Sequence, residues 1–333
     1  MRDDDRHLTR LILESFKTDD LDALCKDADL SPEQLQGLRD AFVSAGAARI
    51  REIVQPSTWH QVGVTFDGLG LQRPLFFTGR FLEQVRTWLD DRTIDRFSFL
   101  DKSPGLRLRF RMLRADFPER LSTFLQTCAD EGELSGWVRR AYEAEVHQFG
   151  GEVGMDLAHE FFTTESLAVL GHRALHLTGH ASLSSTEFSL LLLHDLFQHL
   201  VEDRWELWDL WANLALADRS LTLDDAERDD AIALAERARD AIVEILDARP
   251  SLLHRLTDPE RALLPPYRDA THALAARLRA ARDDGQLSHG LRQILPFWIV
   301  FHWNRMGFDA DHQRRLAFVM AHLLDPKRAE PPR

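Results

Sequence analysis

The spacing of apolar residues changes twice along this chain of 333 residues, near residues 58 and 154, and these changes limit the folds it can adopt. Between about residues 58 and 150, apolar and polar side chains alternate, which is typical of strands with one buried face. Beyond Gly154 apolar residues recur every three or four positions, which is typical of helices. This pattern predicts an α+β protein: a small mixed β-sheet packed on a predominantly helical body, with a short N-terminal helical extension.

The predicted elements follow from these two patterns. The segment between residues 58 and 150 is expected to contain strands over 58–66, 94–100, 105–113 and 137–146, with a helix over 76–91. Helices are expected to follow over 156–177, 184–201, 205–217, 223–248, 266–281, 289–306 and 309–324.

The first 54 residues read as three short helices. The third begins at a capping box, Ser31–Gln34, with Pro32 at the first helical position. Three small helices can form a helix-turn-helix, but this segment is acidic and its third helix offers few bases, which favours a packing or peptide-docking module. The predicted domains are a helical extension over 1–55, a main domain over 56–325 and a disordered tail over 326–333.

The composition narrows the class of partner. The formal net charge is −13, from 41 Lys and Arg against 54 Asp and Glu, which argues against nucleic acid and against an anionic membrane as partners. The N-terminus lacks a signal pattern and no apolar window is long enough to span a membrane. With only Cys25 and Cys128, neither a disulfide framework nor a zinc site is expected. We therefore expect a reduced, cytoplasmic protein with no metal and no cofactor; the sequence does not indicate its oligomeric state.

Three arginines form the first cluster that could carry chemistry. Arg107, Arg109 and Arg111 alternate with apolar residues, so on a strand all three guanidinium groups point to one face. Three like charges repel unless anions meet them. Those anions could be Glu143 and Glu145 on a neighbouring strand, or a ligand carboxylate or peptide, which arginine binds as a fork.

A glycine-rich bend forms the second cluster. Tyr142 lies in a predicted strand that runs through Gln148 into Gly150 and Gly151, and a helix follows. Paired glycines let the backbone approach another group closely, and amides at a helix start favour anions. The spacing matches neither of the familiar nucleotide-binding loops.

The third cluster lies in the apolar run Ile294–Phe308. Polar groups enter this run at helical spacing, with Trp298 four residues before His302 and Arg305 three residues after it. Asn304 adds an amide. The set could hydrogen-bond neighbouring loops inside the core, or it could deliver chemistry to a cleft shared with Arg107 and Arg109.

Five motifs, in this order, resemble a known family. They are Leu106–Phe110, Tyr142–Glu145, Phe149–Gly151, Phe162–Ser166 and His302–Gly307. The chain over residues 58–324 is similar to the small C-terminal domain of lantibiotic dehydratases. This domain also occurs as free-standing thiopeptide-type bacteriocin biosynthesis proteins, some of which carry a similar N-terminal extension.

The resemblance implies two activities on one scaffold. One is elimination of glutamate from glutamylated Ser or Thr of a precursor peptide, which gives dehydroamino acids. The other is a formal [4+2] aza-cycloaddition of two dehydroalanines, followed by loss of water and of the leader peptide, which gives a pyridine macrocycle. A third alternative is a non-catalytic relative that only binds the precursor peptide.

One departure from the family pattern favours cycloaddition. Eliminating members commonly carry an Arg-Tyr-Gly-Gly motif, whose arginine is thought to hold the leaving glutamate, and here Gln148 replaces that arginine. The chain also lacks a large glutamylating domain, so elimination would need a separate glutamylating dehydratase subunit. The expected partner is in either case a precursor peptide, with its leader and core.

Candidate roles follow from side-chain chemistry. His302 is the expected proton donor and acceptor, because imidazole titrates near neutral pH. Tyr142 is expected to assist as a neutral donor, while Arg107 and Arg109 polarise a carbonyl as charge develops on it. The remaining polar and aromatic candidates are assigned to substrate binding: Arg111, Gln148, Trp298, Asn304 and Arg305.

Overall fold

The structure is a computed structural model that describes residues 3–18, 20–26, 30–54, 58–67, 76–102, 105–216, 223–247 and 250–328. It divides into two compact units, residues 1–58 and 59–333. Pro326–Arg328 form a single 3₁₀ turn, so the predicted disordered tail begins with an ordered turn. Residues 329–333 lie outside the described part of the chain.

The N-terminal unit contains α1 (Asp3–Ser15), α2 (Leu21–Cys25) and α3 (Pro32–Val54). The predicted capping box starts α3: Gln34 N donates to Ser31 Oγ at 3.2 Å and Ser31 N donates to the Gln34 side chain at 2.8 Å. The buried apolar residues of this unit form a small core of their own: Leu11, Ile12, Cys25 and Leu35.

The second unit begins with the sheet. It contains β1 (Trp59–Thr65), α4 (Arg80–Asp90), β2 (Ile94–Lys102), β3 (Gly105–Met112), α5 (Phe117–Asp130) and β4 (Gly136–Arg140). The strand order is β2-β3-β1-β4.

All neighbouring strands of this sheet run antiparallel, which corrects the expectation of a mixed sheet within the α+β class. The strand–helix–strand order of β1, α4 and β2 suggests a parallel pair, and β1 and β2 do point the same way. They are not neighbours, however, because β3 turns back from β2 through a short connection and pairs between them.

One face of the sheet packs on α4 and α5. Phe97 of β2 and Phe110 of β3 meet Phe81 and Trp88 of α4 and Phe117 of α5, with ring centroids 5.2–6.1 Å apart. Edge-to-face aromatic contacts of this kind add to the burial of apolar area. The apolar half of the alternating pattern therefore builds the core of this unit, and the arginine half faces the other way.

The helical body follows, with bounds close to those predicted. It consists of α6 (Glu152–Leu177), α7 (Ser185–Phe197), α8 (Arg204–Leu216), α9 (Asp225–Leu246), α10 (Pro250–Arg255), α11 (Asp258–Asp283), α12 (Leu291–Met306) and α13 (Ala310–Leu324). The predicted ends at 217 and 248 lie outside the described residues.

Two bounds differ from the prediction for physical reasons. The helix predicted over 266–281 starts at Asp258, because Thr257 and Glu260 form a capping box and the exposed Pro265 and Pro266 lie inside the helix. The strand predicted over 137–146 ends at Arg140, so Tyr142 lies in a non-regular segment after β4.

α6 and α12 position the other face of the sheet. Thr163 of α6 accepts a hydrogen bond from Phe97 N of β2 at 3.1 Å, and Arg96 of β2 pairs with Glu160 of α6 at 3.1 Å. These two helices cover the β2 side of that face, while Val138 and Arg140 of β4 remain exposed. Within the described residues, no helix is both long and apolar enough to cross a membrane.

Candidate active site

The arginines of β3 lie on the sheet face that points away from α4 and α5. Arg107 pairs across from Gly63 of β1, and Arg109 from Gln61, so these four residues share one face. Leu106, Leu108 and Phe110 of β3 are buried on the opposite face, and Arg109 is buried on the arginine face as well. The alternating pattern therefore predicts correctly which face each side chain takes, but not which of the arginines is buried.

Arg109 is buried and held by the chain itself. Its Nε donates to Gln61 Oε1 at 2.9 Å, and Gln61 Nε2 donates to the carbonyl of Ala141 at 2.9 Å. One NH2 group lies 3.7 Å from Glu145 Oε1, and the guanidinium carbon lies 4.5 Å from the ring centre of Tyr142. Burial lowers the pKa of Arg109, while Tyr142 and Glu145 oppose that shift.

Tyr142 is joined to a histidine that the sequence analysis did not single out. Its hydroxyl lies 2.7 Å from Nε2 of His159 on α6, and Trp59 packs against both rings at 5.0 and 4.1 Å. Burial raises the pKa of Tyr142 and lowers the pKa of His159 to about 3. Both groups are therefore neutral near pH 7, and one proton is shared between an oxygen and a nitrogen.

The other two arginines of β3 differ from each other. Arg111 forms two hydrogen bonds with Asp95, at 2.8 and 2.7 Å, and one with Asp156 at 2.8 Å. Although burial opposes ionisation of Asp95, Arg111 lowers its pKa overall. Arg107 is half-buried and has no hydrogen bond or ion pair with any described residue. Arg107 is thus the arginine of β3 that can bind a ligand without releasing a partner.

The glycine-rich bend joins Tyr142 to α6. Gly150 and Gly151 have φ values of 83° and 100°, which favour glycine. A Cβ on Gly150 would lie 2.5 Å from Ile294 Cδ1, so the bend is packed against α12. Gln148 is half-buried in this bend, and its backbone N donates to Glu145 O at 3.0 Å, which keeps the glutamate beside Arg109.

His302 lies elsewhere, inside the helical body. It is fully buried; its Nδ1 meets Glu165 Oε1 of α6, and its Nε2 lies 2.7 Å from Ser189 Oγ of α7. Arg305, also fully buried, donates from Nε to Glu165 Oε2 at 2.6 Å and stacks on Phe162 at 4.2 Å. Burial opposes ionisation of Glu165, but Arg305 and His302 lower its pKa.

This cluster has the connectivity of a Ser-His-Glu triad without its accessibility. Ser189 Oγ, His302 and Glu165 are linked in that order, yet all three residues are 0% exposed. A nucleophile needs room for a reacting carbonyl and donors around its oxygen. The geometry instead ties α6, α7 and α12 together and gives His302 no nitrogen that faces solvent.

The remaining predicted residues, Trp298 and Asn304, also have partners within the chain. Trp298 is fully buried and stacks on Phe161 at 4.8 Å. Asn304 is half-buried and accepts a hydrogen bond from Gln313 Nε2 at 3.1 Å. The structure therefore brings Arg107, Arg109 and Tyr142 together on the sheet side. His302 and Trp298 have their contacts with other residues, although the charge of Arg305, in the cluster of His302, still acts on Arg109.

Three residues of the site were missed because no local signal marks them. Gln61 lies on a strand of ordinary alternation, and His159 lies on a helix with several other polar residues, some buried and some not. Glu165 appears only inside a family-like motif. Each becomes functional through a partner at least seventeen residues away in sequence.

A family model described as "Lantibiotic biosynthesis dehydratase C-term" matches residues 71–324, which is well over half of the chain. This chain belongs to that family. No curated protein sequence matches it.

Solved structures share the fold. One is the tRNA-dependent lantibiotic dehydratase MibB from Microbispora sp. 107891, with a TM-score of 0.59 and 18% identity over 83% of this chain. Another is TsrL, with 0.53 and 15% over 80%, and a third is TbtD, a pyridine synthase from thiomuracin biosynthesis, with 0.50 and 14% over 80%. The match covers 29% of MibB but 94% of TsrL and 97% of TbtD.

Among the described residues, no group of three or more His, Cys, Asp or Glu side chains is arranged to hold a metal ion. The side chains around Arg109 and Tyr142 offer guanidinium, phenol, imidazole and carboxylate groups. Together they can bind an anion or a carbonyl oxygen and can transfer one proton.

Proposed function

We propose that this protein tailors a ribosomally synthesised precursor peptide by a formal [4+2] aza-cycloaddition. Two dehydroalanines would be joined into a six-membered ring, and loss of water and of the leader peptide would leave a pyridine macrocycle. Membership of a lantibiotic biosynthesis family supports the peptide substrate. The choice of reaction rests on the charges around the arginines of β3.

The observation that carries the choice is the neutralisation of Arg109 and Arg111 by the chain's own carboxylates. Glu145 lies beside Arg109, and Asp95 and Asp156 bind Arg111. A glutamate-eliminating site needs cationic groups that can receive the departing carboxylate. Here those positions are already occupied, and Gln148 adds a neutral amide in the bend.

A cycloaddition has smaller electrostatic demands that this site can meet. Holding diene and dienophile in register can lower the barrier by several kcal/mol, roughly 7–11 at the upper limit. Arg109, which lies over the Tyr142 ring, would polarise the amide carbonyl whose tautomer forms the azadiene. In tautomerisation the pair Tyr142–His159 would give a proton to the carbonyl oxygen and take one from the amide nitrogen. When water and the leader amide leave, it would protonate each leaving group and take a proton from the ring.

In this proposal the proton-transfer role falls to Tyr142 with His159 rather than to His302. His302 would act as a positioning residue, because its contacts with Glu165 and Ser189 fix the helices behind the sheet. Arg109 would orient the Tyr142 ring, over which it lies at 4.5 Å.

Glutamate elimination remains the second candidate, on one observation. Arg107 has no partner among the described residues and could receive a carboxylate. In that reaction the base for the α-proton would have to come from the neutral Tyr142–His159 pair.

Mass spectrometry on two synthetic peptides tests the proposal. One peptide carries two preformed dehydroalanines behind a leader, and the other carries a glutamylated serine. We expect the first to lose water and release the leader amide, and the second to stay unchanged. Loss of glutamate from the second with the first untouched would replace the proposal by elimination. Tight binding of both, with neither changed, would indicate a peptide-binding protein.

A further inference from the structure

A second feature of this sheet face is centred on Gly63, two residues along β1 from Gln61, which binds Arg109. Gly63 of β1 pairs with Arg107 on one side and with Val138 of β4 on the other. The side chain of Arg140 lies over this glycine: its Nε is 3.0 Å from the point that a Cβ of residue 63 would occupy. Arg107 and Arg140 therefore flank the same gap on the same face of the sheet.

Neither of these arginines has an anionic partner among the described residues. Arg107 and Arg140 make no hydrogen bond or ion pair with any described residue, whereas Arg109 and Arg111 on the same sheet face have carboxylate partners. The whole chain has 13 more acidic than basic residues, so carboxylates are abundant elsewhere. Two like charges flanking one gap repel, and an external anion would relieve that repulsion.

A side chain can approach Arg140 and Arg107 from solvent, because Arg140 and Val138 beside Gly63 are exposed. Gly63 has no side chain, and any larger residue there would contact Arg140 or Val138 Cγ1, which is 3.6 Å from the Cβ position. Val138 is 49% exposed and forms an apolar wall. Guanidinium groups bind carboxylates through paired hydrogen bonds, so the ligand class is a carboxylate on a short apolar stem.

We propose that Arg107 and Arg140 form, over Gly63, a subsite for the side chain of an acidic residue of the peptide substrate. The identity of the ligand as a peptide rests on the proposed function. Residues two apart on a strand lie roughly 7 Å apart, so the subsite is about that far from Arg109 and the Tyr142 ring. An acidic residue bound there would set the register of the segment that reacts.

Binding of short probes tests the subsite without turnover. The probe is a labelled, N-acetylated and C-amidated peptide Ala-Ala-Glu-Ala-Ala, compared by NMR titration with its Gln analogue at low salt. We expect the wild-type protein to bind the Glu peptide about tenfold more tightly, which is typical of charge-assisted hydrogen bonds. Arg140→Gln and Arg107→Gln should remove this preference, and Arg140→Lys should restore part of it.

Arg139→Gln is the matched control. Arg139 is exposed and adjacent, but alternation places it on the other face of β4, where it lies 3.4 Å from His60 Nδ1. The control should keep the tenfold preference although it loses the same charge. An equal loss in Arg139→Gln, or no preference in the wild-type protein, would overturn the subsite.

A third probe separates the two possible sources of the carboxylate. It carries a glutamyl ester on serine in place of the Glu residue. Binding of the ester alone would overturn the proposal, because the carboxylate would then belong to an elimination substrate. A protein that prefers the Glu peptide but fails to cyclise the dehydroalanine peptide would leave the subsite standing and remove the proposed reaction.

Discussion

The hydroxyl of Tyr142 lies 2.7 Å from Nε2 of His159, although the two residues are seventeen positions apart and belong to different elements. Burial keeps the phenol protonated and the imidazole neutral. Such a pair can donate a proton and recover it without creating a charge in the resting site. The same pair lies beside Arg109, whose charge would stabilise a transient phenolate.

Tyr142→Phe should lower the rate of peptide conversion by about a hundredfold, because positioned proton transfer contributes that much or more. It should also cost about 1–3 kcal/mol of stability, since His159 Nε2 loses its buried partner. Single-turnover rates and urea unfolding measure the two effects. Tyr267→Phe is the control: it removes a buried hydroxyl that donates to Leu192 O rather than to Tyr142 or His159, and it should change only stability. Full activity in Tyr142→Phe would contradict the assignment.

His302→Gln should act mainly on stability. The imidazole bridges Glu165 and Ser189 in the core, so its loss should lower the free energy of unfolding by about 1–3 kcal/mol. The rate per folded molecule should stay within about threefold. Urea unfolding measures the effect on stability, and turnover per folded molecule measures the effect on catalysis. A drop in rate of about a hundredfold at unchanged stability would restore His302 as a catalytic acid or base.

Stability should fall in mild acid because of buried neutral histidines. His172 is 1% exposed, and burial lowers its pKa to about 4, with a smaller contribution from His176. Its unfolded pKa is about 6.5, so the unfolded chain binds more protons between these values. The stabilisation is complete above pH 6.5 and is lost as the pH falls towards 4, with an upper limit of about 3 kcal/mol.

The histidine responsible can be identified by substitution. His172→Gln should reduce the pH dependence of the unfolding midpoint between pH 6.5 and 4, and the part due to His159, whose pKa burial also lowers, should remain. His254→Gln, at an exposed position, should leave the wild-type slope. Identical slopes in all three proteins would show that His172 does not carry the effect.

Gly150→Ala should destabilise the bend that carries Gln148 and Glu145. A side chain at φ 83° is strained by about 1 kcal/mol, and its Cβ would also press on the buried Ile294, which adds about 1–3 kcal/mol. Gly132→Ala is the matched control, because Gly132 has φ 75° but no atom within 4 Å of its Cβ position. Urea unfolding should show a loss about 1–3 kcal/mol larger for Gly150→Ala. Equal losses would mean that α12 yields to the extra methyl group.

The sequence by itself determined the class of fold and the elements that build it. Periodicity is a local property, so the strand segment, the helical segment and the shared face of the β3 arginines could be predicted, as could the capping box at Ser31. Strand order could not be predicted in this way, because it is not a local property. The position of β3 between β1 and β2, which makes the sheet antiparallel, depends on contacts between segments.

The tertiary structure alone decided which polar residues form the site. Arg107, Arg109 and Arg111 are equivalent in sequence pattern, yet Arg109 meets Glu145, Arg111 meets two aspartates and Arg107 meets no described partner. The sequence allowed His302 either a core position or a place in a cleft, and the packing of α6 and α7 buries it. Burial and pairing determine the charge and the accessibility of each of these side chains, and both arise only when distant segments pack together.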